Sequence, residues 1–270
     1  MTHSRNYKTL RRFIVPALAG GALAALAFAP TFGAEPVQSN VPPQNISAPK
    51  ADAPNANMPK NDVPRPDDVK TGEINEPTPH KEADPSTFTG TSVISENKTL
   101  EHQRFDNTTS DQNAFIGKNK ATITIDSSVF DKQGTTTNDD NSNFRGQNAV
   151  VLGIEGSQTS IKNSNITSNS IGSNAVFATG EGSIINVENT NIHTKGDSSR
   201  GLDATYKGTV NGKNLTITTE GAHSATLATD RGEGTINAEA AKLTTSGAGS
   251  PVIYSTGNIT ANSINGVANK

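Results

Sequence analysis

The sequence predicts an all-β chain whose folded part is a right-handed parallel β-helix, a β-solenoid with about 26 residues per rung. Three observations predict it. The string NAVVLGIEGS begins at Asn148 and NAVFATGEGS begins at Asn174, a step of 26. A second string keeps that step: Ile161-Lys162-Asn163-Ser164-Asn165-Ile166 recurs as Val187-Glu188-Asn189-Thr190-Asn191-Ile192. The apolar islands are short, β-branched and broken by Gly, Asn and Ser, with no helical period.

The repeat extends in both directions. RGLDATYKGT starts at Arg200, SATLATDRGEGT at Ser224 and SPVIYSTG at Ser250, in steps of 26, 24 and 26. Backwards, NAFIGKNKAT starts at Asn113, a step of 35. The surplus fits the polar stretch Lys132 to Gln147, which reads as a loop. A unit this short cannot bury an apolar face alone, so it must stack on its neighbours. Rungs stack about 4.8 Å apart, so six make a prism of roughly 25–30 Å.

The rest of the chain follows from composition. Residues 1–34 read as a secretory signal peptide: Arg5, Lys8, Arg11 and Arg12 precede the uncharged run Phe13 to Ala29, with cleavage near Gly33 or Ala34. This predicts export, to the extracellular space or a bacterial cell surface. Residues 35–87 read as a disordered spacer, since positions 35–86 hold eleven of the fourteen prolines and no apolar periodicity. Residues 88–112 are poorly patterned and are expected to cap the open end of the stack. Residues 113–270 then form about 5–6 rungs, the last one incomplete at NGVANK. That ending predicts either the N-terminal part of a larger protein or end-to-end self-association through the uncapped C-terminal rung.

Aligned without gaps, the repeats give three columns. Val150, Val176, Leu202, Thr226 and Val252 form one, and Leu152, Ala178, Ala204, Ala228 and Tyr254 lie two positions on. Period two puts both on the core face. The column between them, Val151, Phe177, Asp203, Leu227 and Ile253, is expected to face outward as an exposed contact stripe, unless a loop or terminal segment covers it. Asn163, Asn165, Asn189 and Asn191 are expected at turns, where Asn tolerates left-handed backbone. Their stacked amides can bond along the ladder.

Several chemistries are excluded or disfavoured. There is no Cys, which removes thiol catalysis, thiolate metal sites and disulfides. The net charge of −3 and the absence of Trp argue against nucleic acid as a partner. The motifs NxNI and GxG[ST], with the rung length, resemble pectin-lyase-like right-handed β-helices, especially those of bacterial adhesins and autotransporter passenger domains. The resemblance covers about Asn113 to Lys270 and implies a fold that hosts many activities.

An enzyme of that kind needs acids clustered on one face. Here Glu155 and Glu181 share a column that continues with Lys207; Glu188 and Asp203 are isolated; Asp139 and Asp140 lie in the loop. His102, His193 and His223 have no metal-ligand spacing. No catalytic residue, metal or cofactor is therefore expected. The expected function is that of a non-catalytic exported adhesin-like module, binding a host-surface protein or glycan through an extended face. A polysaccharide lyase or hydrolase and a purely structural stalk are the alternatives.

Overall fold

A computed structural model describes residues 82–269. The signal peptide and the spacer up to residue 81 lie outside the described residues.

Seven rungs of three strands each follow one another. The first two are β1 (Gly90–Ile94), β2 (Lys98–Glu101), β3 (Arg104–Asn107) and β4 (Asn113–Gly117), β5 (Thr122–Asp126), β6 (Val129–Lys132). The third is β7 (Val151–Gly153), β8 (Gln158–Lys162), β9 (Asn165–Ser168), and the fourth is β10 (Val176–Thr179), β11 (Ile184–Glu188), β12 (Asn191–Thr194). The fifth is β13 (Leu202–Thr205), β14 (Thr209–Lys213), β15 (Thr216–Thr219), and the sixth is β16 (Leu227–Thr229), β17 (Thr235–Glu239), β18 (Lys242–Thr245). The seventh is β19 (Ile253–Ser255), β20 (Asn258–Asn262), β21 (Asn265–Ala268). Like pairs with like between rungs, giving three seven-stranded parallel sheets that wind as a right-handed parallel β-helix. The chain is all-β, as its repeat predicts.

Two boundaries differ from the sequence reading. Residues 88–112, expected as a poorly patterned cap, hold β1 to β3, the first regular rung of the stack. Residues 82–87 do not belong to a spacer. Pro85–Thr87 forms a 3₁₀ turn, capped by Asp84, whose carboxylate accepts from the Ser86 N–H at 2.9 Å. The seventh rung has all three strands, so the expected break inside it is absent.

One turn sets the phase of every rung. Between the second and third strands lie two residues, and the first is left-handed each time: His102, Ser127, Asn163, Asn189, Asn214, Ala240 and Ser263, with φ from 49 to 54°. Asn and His reach this region more readily than most residues, and they fill four of the seven positions. The second turn residue often ties back to the strand before it. Ser164 Oγ donates to the Lys162 carbonyl at 2.6 Å, and Thr190 Oγ1 to the Glu188 carbonyl at 2.8 Å. Thus the repeated Asn-[Ser/Thr]-Asn string is the turn plus the first residue of the next strand. Asn165 and Asn191 open β9 and β12 and are not turn residues.

The core runs the length of the stack. Ile123, Ile185, Val210 and Ile236 from the second sheet meet Ile166, Ile192, Ile217 and Leu243 from the third. At the N-terminal end the rings of Phe105 and Phe130 stack at 4.6 Å, and Phe115 meets Phe105 edge-on at 5.4 Å. Buried serines close the corner between the third and first sheets. The N–H groups of Ser173, Ser199 and Ser224 each bond the hydroxyl of the serine one rung on, at 2.9 Å.

The first sheet differs from the others because its five inner strands, β4, β7, β10, β13 and β16, are buried on both faces. Its inner side joins the main core. Its outer side carries Ile116, Leu152 and Phe177, which pack with Phe88, Ala149 and Ile154 in a separate apolar cluster. The stretch after β6 supplies part of the cover. It contains a one-turn π-helix, Asn141–Arg145, closed by Gly146 at φ +79°.

Removing the stacked ring at Phe130 leaves a cavity that a β-helix cannot close by collapse. Phe130→Ala is expected to cost about 3–5 kcal/mol in urea unfolding followed by circular dichroism. A loss below about 1 kcal/mol would contradict the aromatic core.

Candidate functional site

The second sheet turns alternate residues outward, and nothing among the described residues covers them. Register stacks them into columns. One reads Ser160, Asn186, Asn211, Asn237, Thr260 from β8 to β20. Two residues on, the next reads Lys162, Glu188, Lys213, Glu239, Asn262. Together they line a groove of about 430 Å³ along the stack.

The asparagine column is wired internally. Asn211 Nδ2 donates to Asn186 Oδ1 at 2.8 Å, and Asn237 Nδ2 donates to Asn211 Oδ1 at 2.9 Å. Each amide carries two N–H donors and two lone pairs, so this chain leaves donors and acceptors free toward solvent. Beside it the charges alternate by rung. Lys162 meets Glu188 at 3.2 Å and Lys213 meets Glu239 at 3.8 Å. Exposed pairs like these add little stability. Their effect is to order the side chains and keep the face electrically balanced.

A second amide ladder borders the groove. Asn214 Nδ2 donates to Asn189 Oδ1 at 2.7 Å, Asn189 to Asn163 at 3.3 Å, and Asn163 to Asp126 Oδ1 at 2.9 Å. The chain of amides thus ends on a carboxylate. The hydrogen bond from Asn163, then that from Ser127, hold the Asp126 pKa below the ordinary carboxylate value. On the third sheet Asn191 Nδ2 donates to Asn165 Oδ1 at 3.2 Å.

The expected contact stripe does not form. Val151 and Leu227 pair with Val176 and Leu202, and they lie in the main core. Phe177 and Asp203 sit on the outer side of the first sheet, yet both are fully buried. Only Ile253, in the seventh rung, is exposed, at 42%. Register turns Val151, Leu227 and Ile253 inward, while Phe177 and Asp203 do face outward and are covered, as the alternative of a covering segment expected. Val176 pairs with Val151 and not with Val150, a step of 25, so Leu152 opposes Phe177 and Gly153 opposes Ala178. A one-residue slip exchanges the two faces of a strand. The assumed core column Leu152, Ala228 and Tyr254 accordingly shares the register of Phe177 and Asp203 on the outer side.

The remaining acids and histidines are dispersed. Glu155 accepts from the Asn119 N–H at 3.1 Å, and Glu181 lies 3.9 Å from Lys207. His193 bonds Glu220 at 2.6 Å on the third sheet, while His102 and His223 occupy left-handed turn positions. The groove asparagines were missed although they carry a signal. Ile185-Asn186-Val187-Glu188, Val210-Asn211-Gly212-Lys213 and Ile236-Asn237-Ala238-Glu239 repeat apolar-Asn-small-charged in steps of 25 and 26.

In a carbon-13 titration the Asp126 carboxyl is expected to ionise below 3.8. Asn163→Ala should move the midpoint upward, because the strongest donor to the charged form is gone. A midpoint unmoved by that change would contradict the ladder. No protein-family model, curated protein or solved structure matches this chain.

Proposed function

We propose that the chain is an exported, non-catalytic adhesin-like module of the pectin-lyase-like β-helix kind, and that it binds extended glycans along the open face of its second sheet. The observation that carries this reading is the hydrogen-bonded column Asn186, Asn211 and Asn237 flanked by alternating lysine and glutamate. Unused amide donors and acceptors suit pairs of sugar hydroxyls, which need both.

The spacing favours the same ligand. Successive amides lie one strand apart, about 4.8 Å, close to the advance of one pyranose in an extended polysaccharide. Each rung then meets one sugar. The balanced charges favour neutral or zwitterionic chains over strongly acidic ones. Each contact is weak because the lining holds no aromatic side chain, so affinity comes from many rungs acting together. A signal peptide followed by a Pro-rich spacer supports display away from a surface.

A glycan array probed with the mature chain, followed by calorimetry on the strongest polysaccharide, tests the reading. The double variant Asn211→Ala/Asn237→Ala should lose about tenfold or more in affinity, at roughly 1 kcal/mol per hydrogen bond. Thr167→Ala/Thr218→Ala on the third sheet should change nothing. Equal losses from both variants, or release of new reducing ends from the polysaccharide, would overturn it.

A further inference from the structure

Asp203 is an ionisable side chain that the open face does not use. It lies on β13, between Phe177 and Ala228 of the adjacent rungs, and is fully buried. Neither carboxyl oxygen has a hydrogen-bond partner. The Arg200 guanidinium stands 3.4 Å away, but its Nη1 donates to Asn143 Oδ1 at 2.9 Å.

The π-helix is fastened on both sides of this residue. Arg200 holds Asn143, and Thr205 Oγ1 donates to the Phe144 carbonyl at 3.0 Å. Ser142 is fixed to the Gly172 carbonyl at 2.7 Å and to Asn174 at 3.1 Å. The other charges here are occupied elsewhere. Glu82, on the segment before β1, takes Arg145 at 2.6 Å, the Tyr206 hydroxyl at 2.6 Å and Arg231. Arg145 also lies 3.9 Å over the Tyr206 ring, and Arg231 lies 3.5 Å over the Phe144 ring. Asp230 adds a like charge near Asp203, Asp140 precedes the π-helix, and His223 lines a cavity beside Arg200.

We propose that the strap carrying this π-helix is a proton-gated latch, closed over the first sheet while Asp203 is protonated and loosened when Asp203 ionises. An ionised carboxylate in this position makes no hydrogen bond and has only the Arg200 guanidinium at 3.4 Å to offset the loss of water. A protonated one is tolerated. Loosening the strap admits water to Asp203 and uncovers the apolar side chains Leu152 and Phe177.

The direction with pH follows from linkage. Burial raises the Asp203 pKa from 3.8 to about 7, Arg200 opposing and Asp230 adding. In the loosened state the carboxyl returns toward 3.8, so loosening releases a proton across that interval. The opening equilibrium therefore rises about tenfold per pH unit from near 4 to about 7 and is level above. Acid closes the latch.

Hydrogen exchange of the mature chain, corrected for intrinsic amide chemistry, tests it between about pH 4 and pH 8. Protection of the amides at 138–147 should fall about tenfold per pH unit and then plateau near pH 7. Asp203→Asn should make it independent of pH, and Asp203→Ala should do the same if the amide packs poorly. Identical pH dependence in the wild-type protein and both variants overturns the latch. So does a parallel loss of protection in β11 and β14, which would mean that the whole stack opens.

Discussion

Everything in this molecule depends on rungs stacking in register. A parallel ladder bonds each strand to the ones above and below, so an error in one rung is passed to its neighbour. The two-residue turn between the second and third strands holds that register. Its left-handed residue recurs in all seven rungs, although the side chain changes from His102 to Ser127, Asn163, Ala240 and Ser263. Where that residue is Asn163, Asn189 or Asn214, the amide also bonds to the rung before it. The backbone requirement is constant, and the amide ladder is an addition to it.

This constancy explains what could be read in advance. The fold was legible because apolar-x-Asn-[Ser/Thr]-Asn-apolar spans one complete turn, from the end of β8 into β9 and from the end of β11 into β12. The faces of the first sheet were not legible. NAVVLGIEGS and NAVFATGEGS look aligned residue for residue, yet the backbone pairs them with a step of 25, and the lost residue returns in the turn before β11. Similar letters therefore stand on opposite faces. A signal against a half-exposed strand was present: AFIG, AVVLG and AVFA are unbroken small and apolar runs, which suit burial on both sides. The polar strap after β6 gave no apolar warning that it covers them, since Phe144 is the one aromatic residue in the π-helix.

The three sheets consequently have different tasks. The first is sealed by the segment before β1 and by the strap, with Glu82 binding the two together through Arg145. That seal encloses the Asp203 carboxyl, whose oxygens make no hydrogen bond. The second presents ordered amides and balanced charge to solvent. Its polar side chains cost little to hold in place because the ladder holds them already, which is the kind of preorganisation that extended, weakly contacting ligands require.

Covalent footprinting of carboxylates with a carbodiimide and a small amine, read residue by residue, tests this division of faces most directly. At about pH 4, where the strap is closed, the account predicts rapid modification of Glu239 on the second sheet, slower modification of Glu188, and no modification of Asp203. Labelling of Asp203 at the rate of Glu239 would contradict it, since the first sheet would then be open and the register assigned to it wrong.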